Sequence, residues 1–302
     1  MLVSQVESTD AEHALATTVD EMKPRGATTN RWAGFSTAGC AWSVYHGDAR
    51  EVLRTLADES FNCVVTSPPY YWQRNYGVDG QIGQEATIDG YVAAITAVMA
   101  EVRRILARDG LLFLNLGDTY YSGKGEPKGK DPKSKSRRFG LRAVDASGLG
   151  VAPKTTIGIP WRVALSMISR RWVLRSPIVW HREGCIPEPS AQDRPWRTHE
   201  YIFMFAKSRR YYFKREALGE EEDVWSIPAR PRPTADIRTA PFPDELVQRC
   251  LDTGCPPGGS VLDPFAGSGT TTRVALMSNR PAVGIDLNGD FCQYMVAQLS
   301  GI

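Results

Sequence analysis

The chain of 302 residues is long enough for one large α/β domain with insertions, and its 42% hydrophobic content can fill a sizeable core. Its 36 Lys and Arg residues are nearly balanced by 34 Asp and Glu residues, which gives a formal net charge of +2. This balance excludes a histone-like polycation and an acidic disordered chain, but it is compatible with a local basic patch.

No segment of the sequence indicates export or membrane insertion. Residues 1–12 lack a basic stretch followed by an apolar run, and no uninterrupted apolar run reaches about 18 residues. We therefore expect a cytoplasmic protein without a membrane partner. The six cysteines are widely spaced and form no CxxC pair, which argues against a disulfide framework and against a zinc site. We expect no bound metal.

Residues 1–37 contain few large apolar side chains, so we interpret them as a flexible N-terminal arm before one folded domain over residues 38–302. The arm is a candidate for a contact with DNA or with a second copy in a homodimer. From residue 42 onward, short apolar runs alternate with segments of helical periodicity. Such alternation predicts an α/β fold with a doubly wound, mostly parallel sheet.

The predicted elements are short and regularly spaced. The apolar runs predict strands at residues 42–46, 61–66, 111–116, 172–180, 201–206, 260–263 and 282–285. Apolar residues at spacings of three and four, with turn signals at the ends, predict helices at residues 49–56, 89–110, 160–171, 271–278 and 290–299.

One insertion, residues 122–154, interrupts this alternation and is strongly basic. It holds nine Lys or Arg residues against three acidic residues, a net charge of +6, and it has no apolar periodicity. Its abundant Gly, Pro and Ser are typical of a solvated loop. A nucleic-acid contact through phosphates is the alternative, since phosphates attract such a charge.

The first chemical motif is a turn with two glycines after the predicted strand 260–263. Gly267 and Gly269 let the backbone approach a ligand closely, and a predicted helix begins directly after them. Asp286 ends the next predicted strand, where a carboxylate can accept hydrogen bonds from ribose hydroxyls. The turn lacks the third glycine of a dinucleotide fingerprint and the lysine of a phosphate P-loop. The pattern therefore predicts a nucleoside site rather than a plain strand-to-helix turn.

The second motif, Thr66-Ser-Pro-Pro-Tyr70, follows the predicted strand 61–66. Proline supplies no N–H, so the loop is rigid and its carbonyl groups are free to accept hydrogen bonds. An exocyclic amine has two N–H donors, which the Ser67 side chain and the Pro68 carbonyl can accept while Tyr70 stacks on the attached ring. The same residues also fit a simple polyproline-like turn.

Together the two motifs closely resemble those of the β-group amino-methyltransferases of DNA. In that family a Pro-Pro-aromatic motif precedes a Phe-x-Gly-x-Gly motif, a circularly permuted order. The resemblance spans residues 42–299, with further matches at residues 46–48, 115–118, 198–205, 224–228 and 241–246. It implies a Rossmann-like fold, S-adenosyl-L-methionine as cofactor and double-stranded DNA as partner.

The resemblance also implies roles for individual residues. The catalytic residues are expected to be Ser67, Pro68, Pro69 and Tyr70. The cofactor is expected to contact Asp48, Phe242, Pro243, Asp263, Phe265, Gly267, Gly269 and Asp286. Within that set, Asp48 is expected near the adenine, and Phe242 and Pro243 near the methionine end. Residues 238–243 depart from the family because they lack the histidine that members often carry.

Within the family that this chain resembles, the first residue of the four-residue catalytic motif distinguishes the target base. Asp or Asn is usual there for adenine N6, and Ser is usual for cytosine N4. Ser67 therefore predicts cytosine N4, with adenine N6 as the alternative. Carbon-5 methylation would need a thiolate in a Pro-Cys pair, and no cysteine here follows a proline. Two readings from other classes stay open, namely a methyltransferase of RNA or protein and an inactive fold that binds DNA.

A target base inside a duplex must be extruded before its amine can reach a methyl donor. Tyr71 and Trp72 are candidates to stack on the flipped base. Lys133, Lys135, Arg137 and Arg138 of the insertion are expected to contact DNA phosphates, and Arg194 and Arg197 are expected to bind DNA from a segment that could reach the groove. Base recognition is expected in the basic insertion or in residues 181–197 or 216–238, and neither that choice nor the recognised sequence follows from the residues.

Overall fold

The computed structural model describes residues 30–123, 142–185, 188, 191–229 and 241–302. Its strands are β1 (Asn30–Phe35), β2 (Ala41–His46), β3 (Phe61–Thr66), β4 (Leu106–Leu116), β5 (Val173–Glu183), β6 (His199–Ala206), β7 (Val224–Pro228), β8 (Val261–Asp263) and β9 (Ala282–Asp286). Its α-helices are α1 (Ala49–Thr55), α2 (Ile88–Ile105), α3 (Ile159–Ser169), α4 (Asp244–Gly254), α5 (Thr270–Met277) and α6 (Gly289–Leu299).

The strands form one mixed sheet in the order β1-β2-β9-β8-β3-β4-β6-β5-β7. From β2 to β4 each neighbouring pair is parallel, and so is the pair β5 and β7. Strand β6 runs antiparallel to both its neighbours, and β1 runs antiparallel to β2. The prediction of a mostly parallel, doubly wound sheet is confirmed.

Helices cover both faces of this sheet, which explains why its central strands are apolar throughout. Helices α1, α2 and α3 pack on one face, where Tyr91, Ile95 and Met99 of α2 are fully buried. Helices α4, α5 and α6 pack on the other face around residues such as Leu246 and Met295. Among the described residues, no helix is long and apolar enough to cross a bilayer.

The sheet brings the two motifs together. Strands β2, β9, β8, β3 and β4 all point the same way, so their carboxyl ends meet at one edge. Thr66 ends β3 directly before the Pro-Pro motif, while Asp263 ends the adjacent β8 directly before the glycine turn. Asp286 ends β9, the next strand across. Ligands of open α/β sheets bind beyond this edge.

The helix predicted at residues 89–110 is shorter than expected, because α2 ends at Ile105 and β4 begins at once. Leu106 already pairs with Phe61 of β3, and the register of the two strands then shifts. Gly110 lies within this irregular stretch, where a Cβ atom would come within 2.9 Å of the Asn62 carbonyl oxygen. The glycine therefore serves a close strand approach and does not end the helix.

Two strands lie where the sequence predicted none. Asn30–Phe35 forms β1 and pairs with β2 inside the region interpreted as an arm, so the folded domain includes at least residue 30. The Thr37 backbone N–H donates to the Ile302 carbonyl at 2.9 Å. Val224–Pro228 forms β7 inside the segment 216–238, and its Trp225 is buried. Residues 1–29 and 230–240 lie outside the described part of the chain.

Candidate active site

A cavity of about 290 Å³ opens at the carboxyl edge of the parallel strands. Ten of the residues expected to bind cofactor or catalyse the reaction border it: Asp48, Ser67, Pro68, Pro69, Tyr70, Phe242, Asp263, Phe265, Gly267 and Asp286. Pro243 and Gly269 are next to lining residues but do not border the cavity themselves. The structure thus brings the two motifs, separated by almost 200 residues, to one site.

The glycine turn has the backbone conformation that the sequence suggested. Gly267 and Gly269 both adopt left-handed φ angles, 53° and 82°, which other residues rarely accept. A Cβ atom on Gly269 would lie 2.5 Å from Cγ of Met295, whereas one on Gly267 would meet no protein atom within 4 Å. Gly269 is therefore needed for packing against α6, while the backbone at Gly267 borders open space on the cavity side.

Asp286 holds the turn and faces the cavity. Its Oδ2 accepts the Gly267 backbone N–H at 2.8 Å, and its Oδ1 accepts the Asn288 backbone N–H at 2.8 Å. Burial raises the pKa of this carboxyl above its usual value, although both hydrogen bonds oppose that change. Each carboxylate oxygen has further lone pairs, so Asp286 can accept additional hydrogen bonds from a ligand in the cavity.

Asp263 has a structural role that the sequence did not indicate, because its side chain forms hydrogen bonds within the protein. Its Oδ1 accepts from the Thr66 hydroxyl at 2.6 Å and from the Phe265 N–H at 3.0 Å, and its Oδ2 accepts from the Thr271 hydroxyl at 2.8 Å. Only 2% of the residue is exposed, and this burial raises the pKa of the carboxyl to about 6. The carboxylate links the end of β3 to the start of α5, and because Asp263 also borders the cavity, its contact with the cofactor stays a prediction.

Aromatic side chains form much of the remaining wall. Phe242 and Phe265 were expected there, whereas Tyr76 and Phe291 were not. The rings of Tyr76 and Phe291 meet edge to face with centroids 6.1 Å apart. Flat apolar walls of this kind suit a planar ring system, and edge-to-face neighbours hold each ring in place.

The loop after the catalytic motif connects the two sides of the cavity. The Asn288 side chain donates to the Tyr76 carbonyl at 3.4 Å, and Arg50 donates to the Gly80 carbonyl at 3.2 Å. Arg50 also forms an ion pair with Asp48, which caps α1 by accepting the Arg50 backbone N–H at 2.8 Å. These hydrogen bonds and the ion pair keep the pKa of Asp48 below its usual value despite partial burial.

The Pro-Pro motif is held rigidly against the neighbouring strands. The Tyr91 hydroxyl donates to the Pro69 carbonyl at 2.9 Å, whereas no described residue donates to the Pro68 carbonyl. The Tyr70 ring lies directly on Gly117, where a Cβ atom would come within 2.5 Å of the ring carbon Cε2. Gly117 therefore supports one face of Tyr70, while other atoms of Tyr70 border the cavity.

The Tyr70 hydroxyl belongs to a polar cluster that the sequence did not reveal. It lies 2.6 Å from Oε2 of Glu200, 2.9 Å from Oδ1 of Asn115 and 3.2 Å from Oγ of Ser67. Arg182 donates to Oε1 of Glu200 at 3.0 Å. Burial, and next the charge of Glu200, hold the pKa of Tyr70 well above its usual range.

Asn115 and Glu200 lie in stretches that matched the family, and Arg182 lies in a candidate recognition segment, but no sequence pattern places them at one hydroxyl. Two adjacent strands bring them together, because β4 and β6 pair with Asn115 opposite Ile202. Strand β5 adds Arg182 from the other side of β6. The signal that could have found this cluster is the polar side chains at the ends of otherwise apolar strands.

Two residues expected to stack on a base occupy other positions. Tyr71 is only 1% exposed and packs on Tyr91 with ring centroids 5.2 Å apart, so its ring belongs to the core. Trp72 has a left-handed φ of 52°, and its indole N–H donates to the Glu85 carbonyl at 2.8 Å. Neither side chain borders the cavity. The prediction of a stacking role is contradicted for the buried Tyr71 and gains no support for Trp72.

The basic insertion is anchored at its base by backbone hydrogen bonds. The Tyr121 N–H donates to the Thr155 carbonyl at 2.9 Å, and the Lys154 N–H donates to the Tyr121 carbonyl at 2.7 Å. The Ser122 N–H donates to the Val144 carbonyl at 2.8 Å. The four basic residues expected to contact phosphates lie outside the described residues: Lys133, Lys135, Arg137 and Arg138.

Next to this base lies a surface where arginines pack on an aromatic ring. The guanidinium of Arg194 lies 3.8 Å from the centroid of the Tyr120 ring, and that of Arg197 lies 5.5 Å from it. Arg194 also pairs with Glu188 at 2.7 Å. Trp196, between the two arginines in sequence, is 51% exposed. Arg182 donates to the Arg197 carbonyl at 3.2 Å, which connects this surface to the cavity wall.

Within the described ranges, no group of three or more His, Cys, Asp or Glu side chains has the arrangement of a metal site. The polar chemistry of the cavity comes instead from carboxylates, hydroxyls and backbone groups. This set of donors and acceptors can form hydrogen bonds to a polar ligand.

The raised pKa of Asp263 predicts a specific pH dependence of stability. Its folded pKa of about 6 exceeds the usual 3.8, so the folded state binds the proton more tightly than the unfolded state. The stability contribution of Asp263 is therefore fully present below pH about 4 and is lost as the pH rises through about 6. Relative to Asp263→Asn, the parent should gain roughly 2.4 kcal/mol of unfolding free energy between pH 7 and pH 4.

Urea denaturation of both proteins at several pH values measures this difference. The amide still accepts at Oδ1, and the Thr271 hydroxyl has the Val65 carbonyl as a second acceptor at 3.1 Å, so the variant should fold. Asp109→Asn, which alters an exposed residue of β4, is the matched control and should follow the parent. Parallel curves for the parent and Asp263→Asn would contradict the assignment.

Comparison with known proteins identifies the family to which the chain is similar. Residues 61–297 match the N6_N4_Mtase family, described as DNA methylase. The chain is 40% identical over 268 residues to the type II methyltransferase M.Cfr9I of Citrobacter freundii, covering 86% of this chain and 88% of that protein. It is 43% identical over 256 residues to the type II methyltransferase M.SmaI of Serratia marcescens, covering 81% and 86% respectively.

Solved structures share the fold. The PvuII DNA methyltransferase (cytosine-N4-specific) superposes with a TM-score of 0.67 at 20% identity, covering 88% of this chain and 89% of that one. A candidate DNA modification methylase from Thermus thermophilus, solved with S-adenosyl-L-methionine, gives a TM-score of 0.57 at 26% identity, covering 85% and 94%. With two motifs at one cavity and a family match over most of its length, the chain belongs to the N6_N4_Mtase family of DNA methylases.

Proposed function

We propose that this DNA methyltransferase transfers a methyl group from S-adenosyl-L-methionine to the exocyclic N4 amine of a cytosine flipped out of duplex DNA. The observation that carries the proposal is the shared cavity. Ser67 and Pro68 border it together with the glycine turn and Asp286. Hydrogen-bond acceptors for an amine and a site for a nucleoside therefore lie in one cavity.

The residues around the cavity fit the cofactor chemically. Asp286 has acceptors for ribose hydroxyls, and the backbone at Gly267 leaves open space where a side chain would intrude. Tyr76, Phe265 and Phe291 supply apolar walls for the adenine. When bound there, the cofactor supplies an electrophilic methyl group. Phe242 borders the same cavity and would pack at the methionine end.

On the catalytic side, this chain binds and orients the amine. An exocyclic amine has two N–H groups, and the Ser67 hydroxyl and Pro68 carbonyl offer one acceptor each. Both acceptors favour a pyramidal nitrogen whose lone pair is available for in-line attack, and rigid positioning contributes most of the rate. Tyr70, supported by Gly117 behind its ring, provides a firm surface on which the flipped base can stack.

The choice of cytosine N4 over adenine N6 depends on the first residue of the catalytic motif. Ser67 presents a short hydroxyl where adenine enzymes usually present Asp or Asn. The structural likeness to a methyltransferase described as cytosine-N4-specific supports the same choice. Adenine N6 is the second candidate, since the family includes both activities.

Identifying the methylated base tests the proposal directly. DNA incubated with the protein and S-adenosyl-L-methionine should yield N4-methylcytosine by mass spectrometry of its nucleosides. Tyr70→Ala should abolish most of this product while cofactor affinity stays at the parental value, because Tyr70 lies on the amine side of the cavity. N6-methyladenine as the product would replace the cytosine assignment, and near-parental activity of Tyr70→Ala would make this residue a packing residue only.

Asp286 is expected to contribute directly to cofactor affinity. Asp286→Ala removes charged acceptors and should weaken S-adenosyl-L-methionine binding by about 1.5 to 3 kcal/mol, the range for hydrogen bonds to charged groups. Calorimetric titration of the free protein measures this change. Asp290→Ala, an exposed residue in the first turn of α6, is the control and should bind normally. Unchanged affinity in a folded Asp286→Ala protein is the result that refutes the ribose contact.

We also propose that the Tyr120, Arg194 and Arg197 surface contacts the DNA backbone near the cavity. Arginines aligned on an aromatic ring present their charge in a fixed direction, which suits phosphate binding. The adjacent basic insertion begins and ends beside the same surface, so the two would extend one positive region. Exposed Trp196 lies within this region and adds an aromatic face.

The salt dependence of DNA binding tests this surface. Changing both Arg194 and Arg197 to Gln should lower affinity for any duplex and reduce the slope of log affinity against log salt by up to about 1.8, since each phosphate contributes roughly 0.9. Arg108→Gln, an exposed arginine near the start of β4, serves as control. Loss of sequence preference alone, with the slope unchanged, would mean that these arginines read bases.

A further inference from the structure

The hydrogen bonds of the polar cluster at the Tyr70 hydroxyl have a defined order of donor and acceptor. A tyrosine hydroxyl has one hydrogen, and two acceptors compete for it, the Glu200 carboxylate at 2.6 Å and the Asn115 amide oxygen at 2.9 Å. The shorter contact leads to the charged acceptor, which forms the stronger hydrogen bond. The Tyr70 oxygen then accepts from the Ser67 hydroxyl at 3.2 Å. Ser67 thus donates toward Tyr70, and Tyr70 donates toward Glu200.

This direction leaves the Ser67 oxygen free to accept from a substrate. Because its own hydrogen is directed to Tyr70, the lone pairs of Ser67 Oγ remain for an amine in the cavity. The chain of hydroxyls therefore runs from the substrate side to a carboxylate. Glu200 is its end, since an amide oxygen such as that of Asn115 does not take up a proton under ordinary conditions.

The surroundings hold Glu200 in one orientation. Arg182 donates to Oε1 at 3.0 Å and balances its charge, while the Asn115 amide donates to Oε2 at 3.2 Å. Asn115 is in turn fixed by the Tyr201 carbonyl at 3.2 Å. The Glu200 side chain is only 11% exposed, so bulk water has little access to the carboxylate. Packing of the Tyr70 ring alone would not require a carboxylate at its hydroxyl that is itself held by an arginine and an amide.

We propose that Ser67, Tyr70 and Glu200 form a proton relay that removes the surplus proton from the target amine. The inference rests on the proposed function. As N4 forms its bond to the methyl carbon, the methyl–sulfur bond breaks and its electron pair stays on sulfur. The nitrogen thereby becomes positively charged and must release one proton.

Each member of the relay passes on one proton and takes up another. N4 gives its proton to Ser67 Oγ, the Ser67 proton moves to the Tyr70 oxygen, and the Tyr70 proton moves to Oε2 of Glu200. Both hydroxyls are restored, and Glu200 becomes a neutral carboxylic acid until water takes the proton. Glu200 borders the cavity, but in this relay it takes up the proton through Tyr70 and not from the amine itself, so it is a positioning residue rather than a catalytic contact.

Two variants separate the relay from stacking and folding. Tyr70→Phe keeps the ring on Gly117 and leaves the pair between Glu200 and Arg182 intact, but it breaks the relay. Glu200→Gln removes the final acceptor and keeps the side-chain shape. Single-turnover methylation should fall roughly 100-fold in each, within the usual range for general acid–base catalysis. The double variant should be no slower than the single variants, because both interrupt one path.

Binding and isotope measurements show whether the loss concerns protons. The dissociation constants for S-adenosyl-L-methionine and for duplex DNA should stay within about twofold of the parent. The parental single-turnover rate should fall in D₂O, and this solvent isotope effect should shrink in both variants. Asp109→Asn, which makes the same carboxylate-to-amide change at the opposite end of β4, should keep the parental rate and isotope effect.

A readout on the free protein does not depend on turnover. With ¹³Cζ-labelled tyrosine, the NMR signal that disappears in Tyr70→Phe reports the state of the Tyr70 hydroxyl. The Tyr70 hydroxyl donates to Oε2 of Glu200 at 2.6 Å, so Glu200→Gln should change the ¹³Cζ chemical shift of Tyr70 at neutral pH. An unchanged chemical shift would show that the two groups do not share a hydrogen bond, which would overturn the relay.

The relay and the proposed function fail in distinguishable ways. Parental formation of N4-methylcytosine with no solvent isotope effect, or with full activity in Tyr70→Phe, would refute the relay alone. Absence of N4-methylcytosine from the parental reaction would refute the proposed function. A Glu200→Gln protein that loses thermal stability together with DNA binding would assign Glu200 a structural role, and Tyr70→Phe would then decide whether a proton path exists.

Discussion

The buried carboxylate of Asp263 is the constraint on which the site depends. It accepts from Thr66 at the end of one strand and from Thr271 in the following helix, so it fixes the catalytic loop and the glycine turn in one frame. The desolvation of this charge is unfavourable and raises the pKa of Asp263 to about 6. Three hydrogen bonds offset much of that cost, and they do so only if both loops are correctly placed.

Around this link, the cavity divides into two halves with different means of support. On the nucleoside side, backbone N–H groups hold Asp286, and the left-handed Gly267 leaves room for a ligand. On the amine side, side chains from separate strands hold Tyr70. A parallel sheet allows this division, because adjacent strands deliver unrelated residues to one edge while the helices stay on the faces.

The sequence was most informative where a local pattern determines structure. The glycine turn, the Pro-Pro loop and the alternation of strands and helices could all be predicted, since each depends on neighbouring residues. The role of Asp263 could not, because its partner Thr66 is 197 positions away. For the same reason, Tyr71 could not be recognised as buried beneath Tyr91, nor could Glu200 be placed at the Tyr70 hydroxyl. Gly110 resembled a helix stop because glycine serves both turns and close strand contacts.

The hydrogen bond between the Thr37 N–H and the Ile302 carbonyl brings two distant positions of the chain to one place. A short linker could join them there, and the backbone could then be opened at an exposed loop on another side. The pairings among β2 to β9 would survive such a rearrangement, because none of them depends on which segment is synthesised first, whereas β1 precedes Thr37 and would be left out of the rejoined chain. The order of the two motifs along the chain therefore depends on which loop is opened. The same site could be formed by a chain in which the glycine turn precedes the Pro-Pro loop.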